Sequence, residues 1–139
     1  MMNECSYLSI KIGDKESFTQ TITNHHVNLF MKLSGDDNPL HLNEPFAIKA
    51  GFTGRVVYGY LTALFLSKLI GVYIPGKNSL ILSQKTDFLK PVYINDVLTL
   101  SGVVSSKSDF GSIVTIVVNI HNQNGDKVLN GEIKVKMIK

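Results

Sequence analysis

Alternation of apolar and polar residues in the C-terminal half of the chain predicts β-strands. Along residues 133–137, the apolar side chains Ile133, Val135 and Met137 alternate with lysines, which gives one buried and one exposed face. Asn124-Gly125 is a hairpin signal between two such stretches. We therefore predict four successive strands, near Leu80–Leu89, Val97–Ser105, Ser112–His121 and Val128–Ile138.

Helical spacing of apolar residues is typical of the first half. Val27, Phe30 and Met31 follow a candidate cap at Thr23 or Asn24, and Gly35 is suited to end this first helix. A second, short helix is expected over Glu44–Ala50, followed by Gly51. The strongest helical pattern covers Tyr60–Ile70, where apolar residues occupy nearly the whole circumference. We expect other structure to surround that helix.

The order of these elements indicates the fold class. Ile10, Ile12 and Phe18 around the Gly13-Asp14 turn suggest short strands before the first helix. Helices followed by a run of antiparallel strands are typical of an α+β domain, here one long helix against one sheet, which describes a hot-dog fold. Such a sheet leaves an edge free, so pairing of two copies into a homodimer is expected.

Composition narrows the class of protein. The 139 residues suit a single domain, 1–139, and hydrophobic residues at 44% with charged residues at 18% are typical of a folded protein. The net charge is only +3, with lysines spread along the chain, so a nucleic-acid partner is not expected. Cys5 has no second cysteine to pair with, and neither a signal peptide nor a membrane-spanning stretch is recognisable. We expect a cytoplasmic protein without a membrane partner.

The segment Ser34-Gly35-Asp36-Asp37-Asn38-Pro39-Leu40-His41 carries the candidate chemistry. On a continuous helix, Asp36 and His41 would diverge by roughly 140°, but Pro39 breaks the helix and allows both side chains to face one point. A carboxylate beside an imidazole is a general acid/base pair, which suits transfer of protons between water and a substrate carbon.

A purely structural role for the same residues remains open. Asp36 or Asp37 can cap the Asn38-Pro39 turn, and His41 can stand at a helix N-terminus. Residue types alone favour that interpretation, because Asx-Pro turns are common. A calcium loop is excluded, since Leu40 and Ala47 occupy positions that need oxygen ligands.

A family resemblance strengthens the catalytic interpretation. The string Leu33-Ser34-Gly35-Asp36-Asp37-Asn38-Pro39-Leu40-His41-Leu42 resembles the hydratase-2 motif of MaoC-like, (R)-specific enoyl-CoA hydratases, single-domain bacterial type. The resemblance covers almost the whole chain and continues through Gly54-Arg55-Val56-Val57-Tyr58-Gly59, Leu61, Ser67, Leu69-Ile70-Gly71, Pro75-Gly76-Lys77, Gln84, Phe88, Lys90-Pro91-Val92 and Gly131-Glu132.

The resemblance implies a fold, a state and a reaction. The fold of that family is the hot dog, and its usual state is a homodimer. Its reaction is the reversible syn addition of water to a trans-2-enoyl-CoA, giving the (R)-3-hydroxyacyl-CoA. No cofactor or metal is implied, because coenzyme A is part of the substrate.

Individual site residues follow from the same resemblance. Asp36 and His41 would bind and activate the water, with Asn38 orienting them. Gly59 would offer its backbone N–H to the thioester oxygen, and Ser67 would line the site. Ile70 and Val135 are candidates for the acyl pocket, although both are also ordinary core residues.

One residue departs from the family pattern, and two lysines remain open. Tyr58 stands where the family usually has histidine, so its larger side chain can reshape the pocket or replace a hydrogen bond. Lys77 and Lys90 are candidates for binding the coenzyme A phosphates, with solvated surface lysine as the alternative.

Two other functions compete with hydration. A hot-dog thioesterase would use Asp36 to activate water toward the thioester carbonyl, but such enzymes generally lack the Asp-x-Asn-Pro-x-His spacing. A module that binds acyl thioesters without turnover is the third possibility. The acyl carrier is also open, since an acyl carrier protein presents the same phosphopantetheine arm as coenzyme A.

Overall fold

Antiparallel strands form a single sheet in the computed structural model, which describes residues 1–138. Within those residues the sheet has five strands in the order β1-β3-β4-β5-β2. Every neighbouring pair is antiparallel. The strands are β1 Lys15–Thr21, β2 Ser79–Phe88, β3 Val97–Ser108, β4 Ile113–His121 and β5 Lys127–Met137.

The alternating pattern of the sequence places one face of this sheet in the core. On β5, Ile133, Val135 and Met137 are buried whereas Lys134 and Lys136 are exposed, as predicted. The four predicted C-terminal strands are confirmed, with ends that shift by up to three residues. The turn between β4 and β5 contains Gly125 at φ 78°, a conformation that favours glycine.

The N-terminal segment matches the prediction in part, because Phe18 lies in a strand, β1, before the first helix, whereas Ile10 and Ile12 lie in no strand. The described residues before Lys15 form turns and an isolated bridge from Glu4 to Gly76, and the first strand is β1. Asn3 holds this segment in place, because its N–H donates to Val72 O at 2.8 Å and its carbonyl accepts from Lys77 N at 2.9 Å. The segment therefore fastens the start of the chain to the end of the helical region.

The helices are α1 Asn24–Ser34, α2 Pro39–Leu42, α3 Glu44–Lys49, α4 Gly59–Leu64 and α5 Leu66–Lys68, followed by a π-helical turn at Leu69–Tyr73. We call α4, α5 and the π-helical turn together the central segment. The prediction of one continuous helix over Tyr60–Ile70 was wrong in detail. The segment is interrupted at Phe65, and its last turn widens so that Ile74 N–H donates to Leu69 O at 2.8 Å.

The central segment lies against the buried face of the sheet, and its Phe65 ring also contacts His26 of α1, with 5.6 Å between ring centroids. Leu66, Leu69 and Ile70 are fully buried, but Tyr60 on the opposite side is 81% exposed. The expectation that other structure surrounds this helix is therefore met on the sides that face the sheet and α1, but not around Tyr60 in a single chain. Close contact with the sheet depends on Gly102 of β3, where an added Cβ would lie 3.2 Å from Leu69 Cδ2.

Candidate active site

The end of α1 directs the chain into the candidate site. Thr23 caps the helix through a capping box with His26, as the sequence predicted for Thr23 or Asn24. Gly35 ends it at φ 74°, and its N–H donates to Met31 O at 2.8 Å. The left-handed glycine turns the chain away from the helix axis, so that Asp36 begins a new segment.

Asp36 and Asn38 organise the turn that follows. Asp36 Oδ1 accepts from Asn38 N–H at 3.1 Å, and Asn38 Oδ1 accepts from Leu40 N–H at 3.0 Å, which caps α2. Asn38 has extended backbone, with ψ 125°, as expected before Pro39. The structural role that the sequence left open therefore exists, and it shapes the same segment that carries the candidate acid and base.

His41 on α2 has its imidazole fixed by the backbone of a later loop. Its Nδ1 lies 2.6 Å from the carbonyl oxygen of Val56, and Val56 N–H donates to Leu40 O at 3.2 Å. A carbonyl oxygen only accepts, so Nδ1 is the protonated nitrogen and Nε2 of the neutral ring keeps its lone pair. His41 is half-buried and lines an open cleft. Its free nitrogen is suited to accept a proton.

Tyr58 contacts both Asp36 and His41. Its hydroxyl donates to the Asp36 carbonyl oxygen at 2.5 Å. Its ring centroid lies 4.0 Å from that of His41 and 4.6 Å from that of Phe30 on α1. The side chain is buried, with 2% of its surface exposed. One tyrosine thus contacts the backbone of Asp36 and the ring of His41, although no hydrogen bond joins Asp36 directly to His41 within residues 1–138.

Arg55 binds the backbone of His41, a supporting role that sequence reasoning missed. Its Nε–H donates to His41 O at 2.8 Å, and its Nη1 donates to Asn24 Oδ1 at 3.0 Å. The arginine therefore ties the start of α1 to α2. The only sequence signal was its place in the Gly54-Arg55-Val56-Val57-Tyr58-Gly59 string.

Burial and charge together keep Tyr58 protonated. Burial, reinforced by the nearby Asp36 and Asp37 carboxylates, raises the pKa of the Tyr58 hydroxyl, and the Arg55 guanidinium partly offsets this rise. The tyrosine is therefore a hydrogen-bond donor throughout the neutral range.

The cleft beside His41 is a mostly apolar space of about 310 Å³. It is lined by His41, Phe52, Val56, Val57, Gly59, Thr62, Phe88, Leu89, Lys90, Pro91, Val92 and Val128. Sequence reasoning did not assign Phe52, Thr62 or Val128 to a site. Among these three residues, only Thr62 could have been noticed in the sequence, because it is a polar residue in an otherwise apolar helical stretch.

Gly59 opens α4 at the wall of this cleft. An added Cβ would lie 3.2 Å from Phe88 Cε1, which is tighter than ordinary van der Waals contact. No side chain caps this helix start. The glycine thus lets the ring at the end of β2 approach the backbone and leaves the first helical N–H available at the cleft.

Asp36, Asn38 and Tyr58 adjoin His41 without lining the cleft, and three further predicted site residues also lie outside its lining. Ser67 is exposed on the central segment, while Ile70 and Val135 are buried in the core, with 1% and 0% of their surface exposed. An acyl chain could contact Ile70 and Val135 only if core side chains move.

The two predicted lysines occupy different places. Lys90 lines the cleft, and its Nζ lies 2.9 Å from Asp126 Oδ1; this ion pair lowers the pKa of the Asp126 carboxyl. Lys77 follows the far end of the central segment and pairs with Glu4 at 2.8 Å. In one chain, only Lys90 can meet a ligand in the cleft.

The described part of the chain contains neither a membrane-spanning helix nor a metal-binding cluster. No helix there is long and apolar enough to cross a membrane. Its His, Cys, Asp and Glu side chains form no group of three or more that could hold a metal ion.

The chain is similar to known proteins in sequence and in structure. Residues 10–125 match the family described as MaoC like domain. An (R)-specific enoyl-CoA hydratase from Aeromonas caviae is 34% identical over 129 residues, which are 93% of this chain and 96% of that protein.

A solved structure and a plant relative extend the comparison. The solved structure of the (R)-hydratase from A. caviae involved in PHA biosynthesis has a TM-score of 0.89 and 34% identity, covering 93% of this chain and 98% of that one. A mitochondrial 3-hydroxyacyl-(acyl-carrier-protein) dehydratase of Solanum lycopersicum is 30% identical over 125 residues, 88% of this chain and 74% of that protein. The chain thus has the hot-dog architecture of these hydratases. It matches the A. caviae protein over nearly the full length of both.

Proposed function

Because the chain belongs to the family of MaoC-like domains, we propose that it is a hydro-lyase, an (R)-specific enoyl-CoA hydratase that adds water reversibly to a trans-2-enoyl thioester. The observation that carries the proposal is the imidazole of His41, which lines the cleft with Nδ1 bound to Val56 O and Nε2 free. Close by, Tyr58 links this ring to Asp36.

The chemistry begins with a water molecule held between Asp36 and His41. His41 Nε2 accepts one proton of the water while the carboxylate of Asp36 accepts a hydrogen bond from the other. The water oxygen bonds to C3 of the substrate, and the π electrons of the C2–C3 double bond move toward the thioester carbonyl. The imidazolium then returns the proton to C2. Oxygen and proton thus arrive from one face, which is a syn addition.

Negative charge that develops on the thioester oxygen needs a donor. The backbone N–H of Gly59 at the start of α4 supplies it, and the open helix end adds the positive end of the helix dipole. Support comes from the position of Gly59 in the same cleft as His41. Asn38 holds the turn between Asp36 and His41, as its two hydrogen bonds indicate.

The thioester arm and its carrier enter over the end of β2. Lys90 at the cleft is the candidate partner for a phosphate of coenzyme A, since its salt bridge to Asp126 is exposed and exchangeable. An acyl carrier protein remains possible as the carrier, because it presents the same arm. The relative from S. lycopersicum is described as acting on that carrier.

We propose Ile70 and Val135 as residues of the acyl pocket and Ser67 as a residue that shapes the site. The tight burial of Ile70 and Val135 favours short chains, because longer ones must displace core packing. Relative rates with four-carbon, six-carbon and longer enoyl-CoAs test this choice. A preference for long chains would contradict it.

A homodimer through β2 is part of the proposal. β2 is an edge strand of the described sheet, and it exposes Leu80, Ile81 and Leu82. Light scattering of the purified protein should give twice the chain mass. Leu82→Lys should give monomers, whereas Leu8→Lys, on an exposed turn of the N-terminal segment, should not.

Loss of enoyl absorbance tests the reaction itself. Purified protein should consume crotonyl-CoA without releasing free thiol, and Asp36→Asn or His41→Ala should lower kcat about 10³-fold. His25→Ala, on the exposed side of α1, serves as the matched control and should keep full activity. Thiol release would instead identify a thioesterase, and tight binding without turnover would identify a binding module.

A further inference from the structure

We propose that Tyr58 is a positioning residue for the hydration, one that fixes the distance between Asp36 and His41. This inference rests on the proposed function, and it concerns the position at which the family usually has histidine. The tyrosine hydroxyl donates to Asp36 O, and its ring lies against the imidazole of His41 at 4.0 Å between centroids, with 32° between planes. Both contacts come from one buried side chain.

The hydroxyl is the long-range attachment of the Asp36 turn. The other described hydrogen bonds of residues 34–38 join groups no more than four residues apart in sequence. They include the bond from Ser34 Oγ to Phe30 O and the bond that caps α2. Such local bonds shape the turn but do not locate it relative to the cleft. The bond from Tyr58, 22 residues away, does so.

The ring restrains His41 on a second side. Val56 O fixes one edge of the imidazole through Nδ1, which still allows the ring to swing about that bond. The face of Tyr58 limits this motion, and Phe30 supports the tyrosine from behind at 4.6 Å. Since Phe30 belongs to α1, the helix that leads into Asp36, movement of that helix is transmitted to both candidate residues.

Loss of the hydroxyl should affect position more than stability. Asp36 is exposed, so water can replace the phenol as donor to its carbonyl oxygen. We therefore expect no unsatisfied buried acceptor, which is the usual cost of such a deletion. Tyr58→Phe should therefore fold normally, and its defect should lie in the chemical step.

The kinetic test compares Tyr58→Phe with wild type and with Tyr60→Phe. Tyr60 lies two residues further on and is 81% exposed, so its variant makes the same chemical change away from the site. We expect Tyr58→Phe to lower kcat about tenfold and to change KM less than about twofold, because the cleft wall is unchanged. Tyr60→Phe should match wild type.

A rescue variant separates the hydrogen bond from mere bulk. Tyr58→His restores a donor with a smaller ring, and we expect it to recover at least about half of the lost factor in kcat on a logarithmic scale. Wild-type kcat in Tyr58→Phe would overturn the proposal. So would a histidine variant no better than phenylalanine. If Tyr58→Phe does not fold, the test rests on the kcat of Tyr58→His. A kcat for that variant more than about a hundredfold below wild type would contradict positioning by the hydrogen-bond donor at residue 58.

Amide hydrogen exchange supplies a test that does not need activity. Tyr58→Phe should exchange faster at the amides of residues 36–41, while amides of β3 and β4 remain as protected as in wild type. Unchanged exchange at residues 36–41 would show that the tyrosine does not hold the turn. If wild type lacks hydratase activity but the exchange result appears, the proposed function fails while the structural role of Tyr58 stands.

Discussion

His41 and Val56 are joined by a hydrogen bond of 2.6 Å between an imidazole nitrogen and a backbone carbonyl, across 15 residues of sequence. The bond decides which ring nitrogen faces the cleft. The position of the Val56 carbonyl therefore determines that Nε2 of His41 carries the lone pair that can accept a proton.

The tautomer of His41 is open to direct observation. In the neutral ring we expect the proton on Nδ1, which nitrogen chemical shifts in a labelled sample report. His26 is an internal control, because its Nδ1 accepts from Thr23 N–H at 3.1 Å and its proton must lie on Nε2. The two histidines should show opposite patterns. The same tautomer in both would contradict the proton assignment of His41.

Gly59→Ala tests the close approach at the cleft. The new Cβ would meet the Phe88 ring at 3.2 Å, so the ring must shift by a few tenths of an ångström, and kcat should fall roughly tenfold. Stability should change little, since Phe88 is exposed and can move. Gly71→Ala is the control, with nothing within 4 Å of its added Cβ, and should keep its activity. Equal activities in both variants would exclude this tight contact as a requirement.

Gly76→Ala should damage the attachment of the N-terminal segment. Its φ is +92°, and an added Cβ would lie 2.1 Å from Asn3 O. We expect the free energy of unfolding to fall by more than about 3 kcal/mol, as urea unfolding would measure. Gly125→Ala has a similar φ of +78° but no atom within 4 Å, so it should lose only about 1–2 kcal/mol. Similar losses would mean that the collision with Asn3 is relieved by movement of the segment.

Lys90→Met tests the phosphate contact. Removing the cation at the cleft should raise KM for an enoyl-CoA about threefold at low salt and leave kcat unchanged, with the difference shrinking as salt is added. Lys77→Met should leave both constants unchanged, because Lys77 pairs with Glu4 away from the cleft. If Lys77→Met raised KM and Lys90→Met did not, the carrier would bind along a different path, for example over a second chain.

Alkaline pH should weaken the fold through Tyr58. Burial raises the pKa of its hydroxyl above the ordinary tyrosine value, so the unfolded chain loses this proton first as the pH rises. The stabilising contribution is complete below about pH 10 and is lost as the pH rises through the folded value. Urea unfolding at pH 8 and at about pH 11 should show a smaller loss in Tyr58→Phe than in wild type. A larger loss in the variant would contradict the sign of the shift.

Local features of the sequence predicted much of this structure. Gly35 and Pro39 were sufficient to predict where α1 ends and why Asp36 and His41 do not lie on one helix. Alternation along β5 predicted its buried face. These signals involve neighbours in the chain, whose effects on backbone conformation are nearly independent of the rest of the fold.

Features that depend on distant residues were not predicted. The interruption of the central segment at Phe65 leaves the apolar periodicity intact, so that periodicity does not report it. Contacts of Tyr58 with Asp36 and of Gly59 with Phe88 join residues far apart in sequence. The tyrosine was recognisable only as a departure from a family pattern, and its partners became evident once α1 and the central segment were placed together.

β2 and the residues just after it serve two purposes. Its free edge and exposed leucines suit a second copy of the chain, while Phe88, Leu89 and Lys90 at its end line the cleft. Anything that shifts this strand therefore alters the cleft wall. With the homodimer proposed above, turnover per chain should depend on protein concentration, declining on dilution as mass action separates the copies and recovering when the sample is concentrated again.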